Sequence, residues 1–428
     1  MTDTSEVREG PLTRNRNFLF LLGGQIASIF GDRLNYLAVL ALVGAEAGIF
    51  QQRDAPFEIS KLSLLLFLPA VLFGPFSGVL VDRWNTRWTL IVSDFLRGLV
   101  IGTVPMFFPH WGGLIHAYIA VALLSTVNTF FLPARSAILP EIVSRESLLP
   151  ANAALTTGAI AATIGGSVLG GILVSAGGWR AGLAIDSISY FVSTLSLTLL
   201  NPRHFVERAP RMKRETVRGE IARESRQFPR ELAEAWEAVR TQRPLLLTLV
   251  ALFLVVASGG IIVTTGVVLI ERISGDVASG LGFLTGALSI GMIVGSPLSH
   301  VAGRRLGESR ILFVALSLTG AAVMAFSGAE TFVAMLAVFL VGGIFLAPVV
   351  IATETMQQKY CPAALRGRIF ALRDFANRLG FLLLAIPGGL LASELPLRHV
   401  LLGAGGSLVV AGVAMRFLWR EEPGAAPS

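Results

Sequence analysis

The sequence predicts an all-α membrane protein with twelve transmembrane helices, and two observations carry that prediction. Hydrophobic residues make up 53% of the 428 residues and charged residues only 15%, with a mean hydropathy of +0.69. A soluble globular domain carries about 25% charged residues, so that class is excluded. The apolar residues also come in runs of membrane-spanning length: 18–44, 61–81, 88–108, 113–133, 151–176, 180–200, 244–270, 277–302, 310–328, 331–353, 367–392 and 397–418. Each can cross a hydrocarbon core of about 30 Å as a helix. In lipid, runs of this kind satisfy their backbone as helices, and the period-two alternation of a barrel strand is not visible in them.

The net charge of +7 would suit a nucleic-acid binder, but the placement of the charge does not. About 26 of the 35 Lys and Arg residues fall in the tails and the even-numbered connections, while Arg53, Lys61, Arg180, Arg272 and Arg398 account for the odd-numbered ones. That asymmetry places both termini in the cytoplasm and speaks against a nucleic-acid partner. The first 17 residues are polar and Arg-bearing and lead into a run of about 28, the pattern of a retained signal anchor rather than a cleaved signal peptide. The one cysteine, Cys361, excludes an internal disulfide and falls in the cytoplasmic connection between spans 10 and 11. The Arg-rich, Lys-poor, Ala- and Gly-rich composition fits a GC-rich bacterial genome.

Span 1 carries a polar stripe. Gln25, Ser28, Asp32, Asn35 and Tyr36 recur at steps of three and four, on one helix face. Such a stripe in a membrane helix is expected to line a cavity or substrate path rather than to face lipid. Asp32 lies about 22 Å along its helix, past the middle of the core, where a carboxylate can exchange protons with alternating sides. Arg33 points about 100° away and is not its same-face partner. A rival reading pairs Asp32 with Arg33, Arg97 or Arg378 and confines the pair to helix packing.

Between spans 2 and 3, Gly78-Val-Leu-Val-Asp82-Arg83-Trp84-Asn85-Thr86-Arg87 forms a charged turn too short for anything but a tight hairpin. It resembles the signature turn of major facilitator superfamily transporters. Asn85 stands where that family usually has Gly and is expected to supply the positive φ; Thr86 replaces one basic residue. Gly295 to Arg310 occupies the equivalent place in the second half, with Gly303 aligned to Asp82. The resemblance implies a duplicated fold of two six-helix bundles, 1–200 and 244–428, joined by a cytoplasmic linker, 201–243. It also implies that Gly78, Asp82, Arg83 and Arg87 form a gating turn latching against span 11, which starts near Arg366; the alternative is that Arg83 and Arg87 only hold the loop inside.

Local text narrows the likeness. Pro133-Ala-Arg-Ser-Ala-Ile-Leu-Pro140-Glu141, Leu149-Pro-Ala-Asn152-Ala, Gly166-Ser-Val-Leu-Gly170-Gly171 and Arg366-Gly-Arg368 resemble the branch of the enterobactin exporter and macrolide efflux proteins. Phe30-Gly31-Asp32 is shared with the lysophospholipid flippases. Ser167 stands where antiporters commonly have Pro.

The remaining features read as structural. Asp94 and Arg97 at i,i+3, and Asp374 and Arg378 at i,i+4, are spaced to neutralise each other. Asp186, near the outer end of span 6, is expected to reach interfacial water. Gly158, Ala162, Gly166 and Gly170 on span 5, and Ala287, Gly291 and Gly295 on span 8, form small-residue ridges for close helix packing or sliding. Residues 230–242 place Leu232, Trp236 and Val239 at helical spacing, either as an amphipathic helix on the inner leaflet or as a solvated linker helix.

No enzyme, metal or nucleotide motif is visible, and no cofactor is expected. The function the residues and the resemblance imply is secondary active, proton-driven export of a small amphipathic or lipophilic compound, of drug or siderophore type, by a monomer in the bacterial cytoplasmic membrane. Protons, membrane lipids and the small-molecule substrate are the expected partners. The alternative is a lysophospholipid flippase of the same fold; a membrane receptor or embedded enzyme is the reading from another class.

Overall fold

The computed structural model describes residues 12–48, 50, 52, 54–81, 83–108, 114–201, 214–362 and 365–418. Among them the chain is helical throughout. The long helices are α1 (Arg16–Ala47), α2 (Ala55–Val81), α3 (Thr86–Phe107), α4 (Leu114–Ile142), α5 (Leu148–Thr198), α6 (Arg214–Thr241), α7 (Arg243–Ser274), α8 (Val277–Leu306), α9 (Glu308–Ser327), α10 (Phe332–Tyr360), α11 (Arg366–Glu394) and α12 (Leu397–Leu418). All but α6 are long and apolar enough to span a bilayer. Prolines sit inside many of them, at Pro69, Pro105, Pro133, Pro348 and Pro387 among others, as membrane helices tolerate where neighbours satisfy the freed carbonyls.

Eleven spanning helices and twelve expected spans reconcile in α5, whose 51 residues break at Gly178 with φ 74° and ψ 172°. At that φ a side chain is strained and glycine is not. The contacts with α1 show how the two arms run. Gly158, Gly166 and Gly170 of the first arm face Leu22, Phe30 and Leu34, so that arm is parallel to α1. Along the second arm the order reverses: Gly24 faces Ser193, Gly31 faces Ser189, and Ala38 faces Gly182. The arms are therefore antiparallel, and α5 is two membrane spans joined at a single residue.

The chain divides into two compact units. One comprises Met1–Ala47 with Leu65–Arg226, the other Gly48–Leu64 with Gln227–Ser428. The first has a core in which Phe18, Leu21, Leu90, Phe131, Ile138, Ile142 and Leu197 are buried together. In the second, Leu312, Leu316, Val349, Met356 and Leu408 do the same. Many large apolar side chains, such as Leu72, Trp88, Leu99, Ile119 and Val410, are exposed; in a spanning helix that is the surface lipid covers.

Two expectations change here. Asn85 does not take a positive φ. At φ −68° it is the N-cap of α3, and its side chain accepts a hydrogen bond from Trp88 N at 3.1 Å. An Asx cap stabilises the helix start that a glycine would leave open. The end of α6 is neither a free linker nor wholly a leaflet helix. Ala235 and Val239 are buried with Leu245, Leu249, Cys361 and Ile369. Glu234 pairs with Arg368 at 2.5 Å, and the Phe228 and Phe375 rings meet edge-on at 5.7 Å. Trp236, expected on the apolar face, is exposed, because the packed stripe runs through Ala235 and Val239 instead. The small-residue ridges are packing surfaces: Gly291 and Gly295 lie against the backbone of Leu340 and Ile344 in α10, where added methyls would come within 2.0 and 2.2 Å of carbonyl oxygens.

Candidate functional site

The first unit encloses a polar network drawn from four helices. On α3, Arg97 and Asp94 form an ion pair with both side chains fully buried, as the i,i+3 spacing led one to expect. Ser193 of α5 donates to the other carboxylate oxygen of Asp94 at 2.6 Å. The Arg97 guanidinium also donates to Asn128 at 3.2 Å and lies over the rings of Phe131 and Tyr190, 4.1 and 4.7 Å from their centroids. A desolvated guanidinium gains from such ring faces. Tyr190 in turn donates its hydroxyl to Asp32.

Span 1 supplies the rest. Asn35 donates to Asp186 at 2.8 Å, and Ser189 donates to the Asp186 carbonyl at the same distance. Gly31 makes this fit possible, since a methyl on it would fall 1.9 Å from Ser189 Oγ and 2.4 Å from Asp186 Oδ1. Three carboxylates, Asp32, Asp94 and Asp186, thus stand within electrostatic reach of the one guanidinium of Arg97. Chemically, such a cluster has room to hold and release a proton while the arginine keeps its partner.

The stripe of span 1 is turned toward neighbouring helices. Gln25, Ser28 and Asn35 are buried and Asp32 and Tyr36 half-buried, while Arg33 is exposed on another face, with its Cβ against Gly166. Gln25 accepts from Arg135 of α4 at 3.3 Å. In the turn between α2 and α3, Gly78 has open space beside it and Arg83 is half-buried. Arg87 donates to the Thr198 carbonyl at 2.6 Å, a cation at the C-terminal end of α5. Asp82 lies outside the described residues.

Two expectations are corrected. Asp186 does not reach interfacial water: it is fully buried and bonded to Asn35. Counted from the break at Gly178 it lies about 12 Å down its arm, too deep to surface. Asp374 accepts from its neighbour Arg373 at 3.0 Å rather than from Arg378. The same Arg373 side chain reaches Glu354 and Gln357 on α10, at 2.7 and 3.0 Å, and that draws it across Asp374.

The residues sequence reasoning missed are Asn128, Tyr190, Ser193 and Arg135. Asp186, Tyr190 and Ser193 follow each other at four and three, a stripe as regular as that of span 1. Arg135 falls just beyond the apolar run 113–133, yet α4 continues to Ile142.

The chain matches the profile of the Major Facilitator Superfamily over residues 21–280 and 269–428. It is 26% identical over 418 residues to the uncharacterized MFS-type transporter YfiS of Bacillus subtilis, covering 95% of this chain and 94% of that one. Macrolide efflux protein A of Streptococcus pyogenes is 24% identical over 392 residues, 88% of each chain. The lysophospholipid transporter LplT of Cronobacter sakazakii is 26% identical over 190 residues, 44% of each. Among solved structures, a bacterial homologue of the iron transporter ferroportin in its inward-facing state shares the fold, with a TM-score of 0.70 at 18% identity over 95% of this chain and 99% of that one. With its all-helical architecture and this match, the chain belongs to the major facilitator superfamily of membrane transporters.

Proposed function

We propose that the protein is a secondary active exporter of a small amphipathic or lipophilic compound, of drug or siderophore type, working as a monomer in the bacterial cytoplasmic membrane with both termini inside. Asp32 carries the coupling proton. Gln25, Ser28, Asn35, Tyr36 and Arg33 line the path or touch the substrate, and the turn from Gly78 to Arg87 gates it, with Asp82 and Arg83 as its inner latch. Asp94 and Arg97 hold the packing around the coupling acid; Asp374 and Arg378 serve structure. The observation that carries the reading is the bond from Tyr190 to Asp32 within a membrane network of three carboxylates and one arginine. An ionisable group at that depth is costly unless it has work to do. The likeness to macrolide efflux protein A along most of the chain supports export.

Asp32→Asn keeps the side chain's size and its hydrogen bond to Tyr190 but cannot carry a proton. In proteoliposomes it is expected to abolish accumulation driven by a pH gradient while leaving downhill exchange and expression intact. Full pH-driven accumulation by this variant would exclude Asp32 as the coupling group.

A second reading, inward movement of lysophospholipids, is favoured by the likeness to the lysophospholipid transporter of Cronobacter sakazakii across nearly half of the chain. Fluorescent lysophospholipid transfer between leaflets separates it from export of soluble amphiphiles.

A further inference from the structure

Arg135 is not part of the Asp94–Arg97 network. It lies seven residues before the end of α4, about 10 Å into that helix. Its hydrogen-bond partner among the described residues is a neutral amide, the Gln25 Oε1 oxygen at 3.3 Å. Gln25 lies at a similar depth, about 14 Å along α1. A guanidinium carries five N–H donors, and one amide oxygen satisfies few of them. Because Gln25 turns its oxygen to Arg135, its amide nitrogen is left with two donors, and that nitrogen is buried without an acceptor. Gln25 itself is only 4% exposed.

This pair therefore presents donors and positive charge and no acceptor, in a spanning segment where an unneutralised charge is disfavoured. Arg97, at a comparable cost, has its own carboxylate; Arg135 has none among the described residues. What completes such a site is an acceptor-rich anion, and a planar guanidinium suits carboxylate or phosphate oxygens.

We propose that Arg135 and Gln25 form a subsite for an anionic oxygen group, a phosphate or carboxylate, with Arg135 as its charge partner and the Gln25 amide as the second donor. This deepens the transport reading and rests on it for purpose: the transported amphiphile carries an anionic head. The shared chemistry covers both a lipid head group and a free anion, and the assay separates them.

Binding is read on the purified full chain in detergent with a fluorescent-tailed lysophosphatidylglycerol and a choline ester of the same tail, equal in apolar part and opposite in charge. Wild-type protein should prefer the anionic probe, and Arg135→Gln should weaken that probe about tenfold or more while leaving the choline ester unchanged. Gln25→Glu is nearly isosteric and gives Arg135 a carboxylate, so it should be at least as heat-stable as wild type yet lose the anionic probe to the same degree. Arg416→Gln, an exposed change on α12, should bind as wild type does. Inorganic phosphate that displaces the probe at equal concentration marks a free anion as the ligand; displacement only by lysophospholipid marks a head group, and either supports the subsite. Wild-type protein with no preference for the anionic probe, or Gln25→Glu with unchanged affinity, overturns it. Because binding is measured without transport, a chain that holds the anion but moves nothing retains the subsite and sinks the transport reading alone.

Discussion

The ion pair between Asp94 and Arg97 invites a double-mutant cycle. Both side chains are fully buried, and each has further partners: Ser193 on the carboxylate, Asn128 and two rings on the guanidinium. Removing one member of such a pair leaves an uncompensated charge and costs about 3–5 kcal/mol. Asp94→Leu takes from Arg97 its ion-pair partner and leaves it only the coulombic reach of Asp32 and Asp186, and Arg97→Met strands Asp94 with only a serine hydroxyl. Replacing both leaves two apolar side chains of similar volume, an exchange that is often near neutral. The lost Ser193 and Asn128 bonds then leave roughly 1–3 kcal/mol. Each single variant is expected to melt on the order of 10 °C lower, taking the slope for units of this size, and the double variant only a few degrees lower. Scanning fluorimetry of the tryptophans in detergent reads this directly. Single effects that simply add in the double variant, within about 0.5 kcal/mol, would show that the two groups are not coupled and refute the reasoning.

The close contact of α8 with α10 predicts a sharp position effect: Gly291→Ala, whose methyl would sit 2.0 Å from the Leu340 carbonyl oxygen, should destabilise by about 1–3 kcal/mol. Gly403→Ala, with open space beside it, should melt within a degree or two of wild type; equal effects at both positions would contradict the packing. Cys361 makes a pH prediction. Burial pushes its thiol up from the ordinary cysteine range, and the positive charge of Arg366 works against that more weakly. The thiolate is the reactive form, so maleimide labelling of the native protein should be slow at pH 7 even with a permeant reagent, need a more alkaline pH than an ordinary cysteine does, and slow further in Arg366→Gln. Rapid labelling at pH 7 would count against the burial. For the same reason, silence of Cys361 toward an impermeant reagent carries no information about sidedness, and orientation is better read from a cysteine placed at exposed Arg398 in a Cys361→Ser background.

The spans were legible because hydropathy and length are one-dimensional properties. The polar stripe of α1 was legible too, since Gln25, Ser28, Asp32 and Asn35 repeat at the helical period. What the stripe faces was not, because that depends on which helix packs beside it. Tyr190 and Asp186 are more than 150 residues away from Asp32 and Asn35. Asp186 was misread for want of the break at Gly178: a helix start placed by hydropathy alone puts the residue nearer the surface than it lies. Arg135 was missed because the apolar run was ended at Pro133, whereas α4 carries Pro133 and Pro140 inside it, as a membrane helix with no water to reward leaving it can. Asp374 shows a third limit. Helical spacing offered Arg378, but Arg373, drawn to Glu354 and Gln357, took the carboxylate.

The single-residue joint at Gly178 has a consequence for how the protein is made. Where two spans are joined by a polar loop, each can enter the bilayer in turn and the loop is drawn across behind the first. Here the two arms of α5 leave no loop to draw. With both termini inside, as proposed, what must cross is the tip alone, Gly177 to Arg180, in which the Arg180 guanidinium stacks on Trp179 at 5.0 Å, an aromatic–cation pair suited to the lipid–water boundary. The arms are therefore expected to enter lipid as one hairpin, neither stably inserted without the other. Each arm exposes a row of glycines and serines on the face that α1 later covers, so insertion of this hairpin beside an α1 already in place would bring the partners of Asp32, Asp94 and Asp186 together in a single step of biogenesis.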